Sequence, residues 1–118
     1  MRSNEIADRL RDVLDNIERI ERHVATSNSP DFGADELVLD AVERCLSRIS
    51  EAAVRLGDEA AQVVPGHQWA DIRGLGNILR HVYHRVEVEV IREIVELELP
   101  RLKRDVRAAI DRLEPPRD

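Results

Sequence analysis

The sequence predicts an all-α protein, an up-and-down bundle of four or five helices. Three observations carry this. Apolar residues recur every three or four positions along most of the chain, the repeat of a helix with one buried face. Gly and Pro number only 5 each and are clustered. The chain holds one Phe, one Trp and one Tyr, so its core must be built from Leu, Ile, Val and Ala. With 118 residues there is enough chain for one core and too little for two, which gives a single domain over 1–118.

The first helix carries Ile6, Leu10, Val13, Leu14, Ile17, Ile20 and Val24 on one face. Ser3 and Asn4 offer an N-cap. Asp8, Arg11, Asp15 and Arg19 alternate in charge on the solvated side. The helix ends near Ala25, because residues 26–33 are a run of turn formers in which Phe32 tucks against the core. The second helix begins near Ala34 or Asp35. Its wide stripe, from Leu37 through Cys45 and Ile49 to Leu56, suits packing on two neighbours. Gly57 ends it, Asp58–Val64 forms a short helical turn, and Pro65-Gly66 breaks the chain.

The third helix runs from about Gln68 to about His81, burying Trp69, Ile72, Leu75, Leu79 and Val82. Gly74 and Gly76 lie inside it, each costing about 1 kcal/mol relative to Ala. Their closeness predicts a bend or the near approach of another backbone. A fourth helix starts near Val86. Pro100 then kinks it or opens a fifth helix that carries Leu102, Val106, Ala109, Ile110 and Leu113. The helices hold more aliphatic surface than one small bundle buries, which predicts a homodimer.

No apolar run is long enough to span a bilayer and no signal-peptide pattern opens the chain, so a cytoplasmic location without membrane contact is expected. The single Cys45 excludes an internal disulfide and sits in an apolar stripe, which predicts a buried structural thiol. A net charge of −6 excludes broad, charge-driven binding to nucleic acid; any such binding must use a local patch.

One stretch supplies that patch. Ile72–Val86 has no carboxylate, and Arg73, Arg80 and Arg85 give it +3 against a total of −6, so the remainder carries −9. A helix turns about 100° per residue, which sets Arg73, Asn77 and His81 along one side of the third helix. Arg80, Tyr83, His84 and Arg85 follow closely. This set suits cleavage of RNA, whose 2′-hydroxyl is its own nucleophile. An imidazole exchanges protons near neutral pH, and a guanidinium grips phosphate oxygens. The stretch lacks the carboxylates a magnesium site needs, and two His without a third ligand do not make a metal site, so neither metal nor cofactor is implied. The plainer alternative is that the cations cap the helix and complement its dipole.

The residues Pro65, Trp69-Ala70-Asp71-Ile72-Arg73-Gly74-Leu75-Gly76-Asn77-Ile78-Leu79-Arg80-His81-Val82-Tyr83 and Glu98-Leu99-Pro100-Arg101-Leu102 resemble the HepT-like branch of the HEPN domains, most specifically through Asn77, Leu79, His81 and Tyr83. The resemblance covers almost the whole chain. It implies a helical, metal-independent ribonuclease acting as the toxin of a bacterial toxin–antitoxin pair, with a dimer cleft that joins two copies of the Arg/His motif. It implies RNA as substrate and a small nucleotidyltransferase antitoxin of the MntA type, which silences such toxins by transferring AMP to a tyrosine matching Tyr83. His81 matches the catalytic histidine. The chain departs from the family pattern before Asn77, where Gly76 replaces the usual arginine; Arg73 is the preferred substitute and Arg80 the second. That departure bears on activity more than on fold. The alternative reading is a catalytically weak or inactive module that binds a nucleotide or a partner.

Overall fold

The computed structural model describes residues 2–81 and 84–115, with the side chains of residues 80–87 lying outside the description. Among the described residues there is no strand. Helix α1 spans Ser3–Ala25, α2 Glu36–Leu56, the one-turn α3 Glu59–Val63, α4 Trp69–His81, α5 His84–Glu93 and α6 Leu99–Leu113. A 3-10 turn, Phe32–Ala34, precedes α2. A widened π segment, Ile94–Glu98, joins α5 to α6.

The start of α1 differs from expectation. Arg2 is the N-cap residue and makes no side-chain capping bond; Asn4 Oδ1 accepts from the backbone N–H of Glu5 at 3.1 Å. The start of α2 is better sealed, because Asp35 Oδ1 accepts from the N–H of Val38 at 3.3 Å. Gly57 closes α2 in a left-handed turn at φ 57°, a region where a Cβ would be strained. Pro100 falls in the first turn of α6, where its missing N–H leaves no bond unmade.

Helices α1 and α2 form a central antiparallel pair; α4 packs on α2 and α6 on α1. The α1–α6 face runs antiparallel through ion pairs from Lys103 to Glu21 (2.9 Å), Arg107 to Glu18 (3.5 Å) and Arg11 to Glu114. The core between these layers is aliphatic, with Leu10, Ile17, Ile20, Leu46, Ile49, Ile91 and Val106 sealed from water. Burying each such side chain contributes roughly 1.5–3 kcal/mol. Cys45 is buried as a free thiol, and Phe32 pins its loop to the core. Leu97, within the π segment, stands exposed.

Candidate functional site: the cation-bearing helix α4

The start of α4 is fixed by three contacts. Trp69 is 3% exposed, and its Nε1–H donates to the carbonyl of Val64 at 2.8 Å. The His67 ring meets the Trp69 ring edge-on, with centroids 6.3 Å apart. His67 Nε2 lies 2.7 Å from Asp105 Oδ2 on α6, which ties the entry of α4 to the last helix. An ionised carboxylate only accepts, so Nε2 carries the hydrogen of this bond. The bond to His67 and, secondarily, that to Arg104 hold Asp105 below the ordinary carboxylate range.

The middle of α4 is locked to α2 by one hydroxyl. Ser50 Oγ donates to the carbonyl of Arg73 at 2.9 Å and accepts from the N–H of Gly76 at 3.0 Å. What reaches α4 at the paired glycines is thus a side-chain hydroxyl, at the Gly76 N–H. A Cβ on Gly74 would meet nothing within 4 Å, so Gly74 is not packed by another backbone here.

The site residues divide as follows. Arg73 is half-buried, and its Nη1 donates to the carbonyl of Gly57 at 3.4 Å, at the negative end of α2. Side chains on a helix lean toward its N-terminus, so this guanidinium reaches back from His81 rather than toward it. His81 itself is eight residues on, about 12 Å along the axis. Asn77 is exposed, as its place on the polar side of α4 requires. The side chains of Arg80 and His81, and Tyr83 as a whole, lie outside the described residues. The backbone of α4 nevertheless runs unbroken to His81, so Arg73, Asn77, Arg80 and His81 share one helix.

On the other side of α4 lies a groove of about 330 Å³, between α4 and the α5–α6 arm. Leu46, Ile49, Ile72, Leu75, Ile94 and Leu102 make it apolar, Asp71, Glu93 and Glu98 give it an acidic edge, and His67 also lines it. His67 was not singled out by sequence reasoning. Its partner lies 38 positions away, and nothing in the sequence marks two such residues as neighbours.

Among the described residues, no three His, Cys, Asp or Glu converge as a cation site. No helix among them is long and apolar enough to cross a membrane.

Comparison with known proteins places this helical scaffold in the class of ribonucleases. The family model described as Ribonuclease HepT-like matches residues 13–109, which include all of α4 and most of α1 and α6. The chain belongs to the HepT-like ribonuclease family. A Methanocaldococcus jannaschii protein named "Gamma-glutamylcyclotransferase and putative RNase" is 27% identical over 105 residues, which cover 89% of this chain and 47% of that protein. The chain thus spans about half the length of that relative. A second protein of the same organism, named "Putative RNase", is 26% identical over 97 residues, 82% of this chain and 89% of that one. No solved structure matches the chain.

Proposed function

We propose that residues 1–118 act as one helical domain, a metal-independent endoribonuclease, and serve as the toxin subunit of a toxin–antitoxin pair. The observation that carries this reading is the carboxylate-free stretch Ile72–Val86, whose first ten residues lie on α4 and all of which falls inside the family match. His81 is the proposed proton carrier for attack by the RNA 2′-hydroxyl. Asn77, exposed one turn before it, orients the strand by hydrogen bonding.

Arg80, next to His81 in sequence, is the proposed phosphate ligand. The sequence alone favours Arg73, but Arg73 is engaged by the carbonyl of Gly57. To serve, Arg73 must leave that carbonyl or act on the site of a second copy. A homodimer is proposed because Ile78, close to this helix end, is 45% exposed, and an apolar side chain there favours cover by another subunit. The proposed partner is a nucleotidyltransferase antitoxin that transfers AMP to Tyr83, two positions after His81 in sequence. Its added phosphate repels the RNA backbone and closes the site.

The test is purified protein with single-stranded and transfer RNA in EDTA. Cleavage by the wild type and none by His81→Ala is expected. Cleavage that survives the substitution overturns the mechanism. A second reading, a non-catalytic binding module, draws support from Arg73 acting as a cap for α2. It predicts phosphate-sensitive binding of RNA without cleavage.

A further inference from the structure

A second cleft, of about 190 Å³, opens between α1 and α2, lined by Asp12, Asn16, Arg48, Glu51, Ala52 and Arg55. A water molecule takes up roughly 30 Å³ in the liquid, so the cleft has room for several, or for one sugar with its phosphate. Ser50, which holds α4, directly precedes Glu51, which lines the cleft. A helix turns about 100° per residue, so the cleft opens about a quarter turn around α2 from the α4 contact.

Two features mark the cleft. The first is its charge. Asp12 is paired with Arg9 and Glu51 with Arg55, each at 3.3 Å. Half-buried Arg48 adds a third guanidinium to these two pairs, a surplus of one positive charge in a protein that carries −6. The Glu51–Arg55 pair is exposed on both sides, and such pairs contribute little, so Arg55 can turn to an anion at small cost. The second feature is an open acceptor. Asn16 is 8% exposed; its Nδ2 donates to the carbonyl of Asp12, and its Oδ1 is buried with no partner. It is the one such side-chain atom among the described residues. A guanidinium calls for an anion, and an open carbonyl oxygen calls for a donor. An ionised phosphodiester has no proton to give, so the donor must belong to a group attached to it. In RNA the 2′-hydroxyl is that group, and DNA lacks it.

We infer that this cleft holds one nucleotide of an RNA strand away from the bond that is cut: its phosphate lies on Arg48 and Arg55, and its 2′-hydroxyl donates to Asn16 Oδ1. The cleft then distinguishes RNA from DNA at a point separate from the chemistry. The inference rests on RNA being the substrate but not on its cleavage, since none of these residues belongs to the Arg80–His81 end of α4.

The experiment measures binding by fluorescence anisotropy in EDTA, in the full chain carrying His81→Ala so that the strand stays whole. The probes are a short uridine RNA, its 2′-O-methyl counterpart and the deoxyuridine strand. The methyl ether keeps the sugar and gives up the proton. RNA should bind about 3- to 10-fold more tightly than either of the others, the worth of one hydrogen bond. In Asn16→Ala, RNA should fall to the level of the 2′-O-methyl strand, whose own affinity stays unchanged. Asn16→Leu should erase the preference likewise, and it decides the matter if circular dichroism shows the alanine variant unfolded. Arg48→Gln should weaken all three strands equally and lower the slope of log affinity against log salt by about 0.7, one phosphate contact on a single strand. A preference for RNA that survives the Asn16 substitutions overturns the inference. So does a wild-type cleft with no preference, or an unchanged salt slope in Arg48→Gln. A gel of the same samples reports cleavage separately: failure of the His81 mechanism shows as a cut strand, failure of this inference as a preference that Asn16 does not control. No binding of RNA at all overturns both.

Discussion

Ser50 Oγ accepts the N–H of Gly76 at 3.0 Å, and this is the point at which α4 is held to α2. The same oxygen donates to the carbonyl of Arg73, so one buried hydroxyl serves both a donor and an acceptor of the neighbouring helix. Ser50→Ala removes both bonds without adding bulk. The expected cost is about 1–3 kcal/mol, the range for bonds to buried polar groups. Chemical denaturation measures it. Ser50→Thr keeps the hydroxyl and should recover part of the loss, limited by room for its methyl group against α4.

Arg73 and Arg80 should separate by readout. Arg73→Ala removes a cation from the carbonyl end of α2 and should lower stability by about 0.3–1 kcal/mol. Its effect on RNA cleavage should be small beside that of Arg80→Ala, which should lower kcat about 100-fold or more, as expected for losing a charge aimed at the reacting phosphate. Cleavage assays and thermal melts on the two variants decide it. A large loss of kcat in Arg73→Ala with Arg80→Ala unaffected reverses the assignment.

Acid should loosen the joint between α4 and α6. The His67 bond, with that of Arg104 second, depresses the Asp105 carboxyl in the folded state. A carboxyl whose folded value lies below its unfolded one adds stability that is fully present above the unfolded value, near 3.9. That stability is lost as pH falls through the folded value. Asp31 follows the same rule, held down by Arg92 first and the N–H of Gly33 second. Melting temperature should therefore drop as pH falls from about 4.5 to about 2.5. The drop should be shallower in Asp105→Asn, which has no proton to take up at that position. Parallel curves for the two proteins contradict this account.

Much of this was legible in the sequence because it is periodic or local. The α1 stripe, the α2 stripe from Val38 to Leu56, the break at Pro65-Gly66, the buried Cys45 and the buried Trp69 all follow from spacing and residue type, whereas Leu37, expected to open the α2 stripe, stands 83% exposed in the first turn of α2. What escaped depends on residues far apart in the chain. Asp31 and Arg92 are 61 positions apart, yet they form two hydrogen bonds, at 3.1 and 2.6 Å. His67 and Asp105 are hidden for the same reason. The π segment before Pro100 differs from the regular helix that the sequence predicts, because one extra residue in a turn leaves little mark on an apolar pattern. The direction of Arg73 was also hidden: angles around α4 do not reveal that Gly57 supplies a carbonyl within reach.

The Asp31–Arg92 pair closes over Gly33 and leaves that glycine no room. A Cβ there would lie 2.8 Å from Arg92 Nη2 and 2.9 Å from Val88 Cγ1. Both distances are shorter than real contacts allow, so α5 must shift or the pair must break. Gly33→Ala should destabilise the fold by roughly 1–3 kcal/mol, the usual cost of overpacking. Combined with Arg92→Ala the loss should be smaller than the sum, because the two changes disturb one contact. A double-mutant cycle by urea denaturation measures the difference.

Asn16 gives a prediction of opposite sign. It sits on the buried side of α1 at 8% exposure, and its Nδ2 donates to the carbonyl of Asp12 at 2.8 Å. Its Oδ1 is buried with no partner. Exchanging the two amide atoms does not help, since it would set the oxygen against that carbonyl. Asn16→Leu keeps the branched shape and heavy-atom count, with a larger volume taken up toward the adjoining cleft, and removes the open acceptor together with its desolvation cost of about 1–3 kcal/mol. It forfeits one bond to a carbonyl that sits within α1, worth about 0.5–1.5 kcal/mol. The balance favours Leu, so the melting temperature should hold or rise where most buried substitutions lower it. A clear fall would mean that Oδ1 is satisfied in solution, by a water at the bottom of the adjoining cleft formed by Asp12, Arg48 and Arg55.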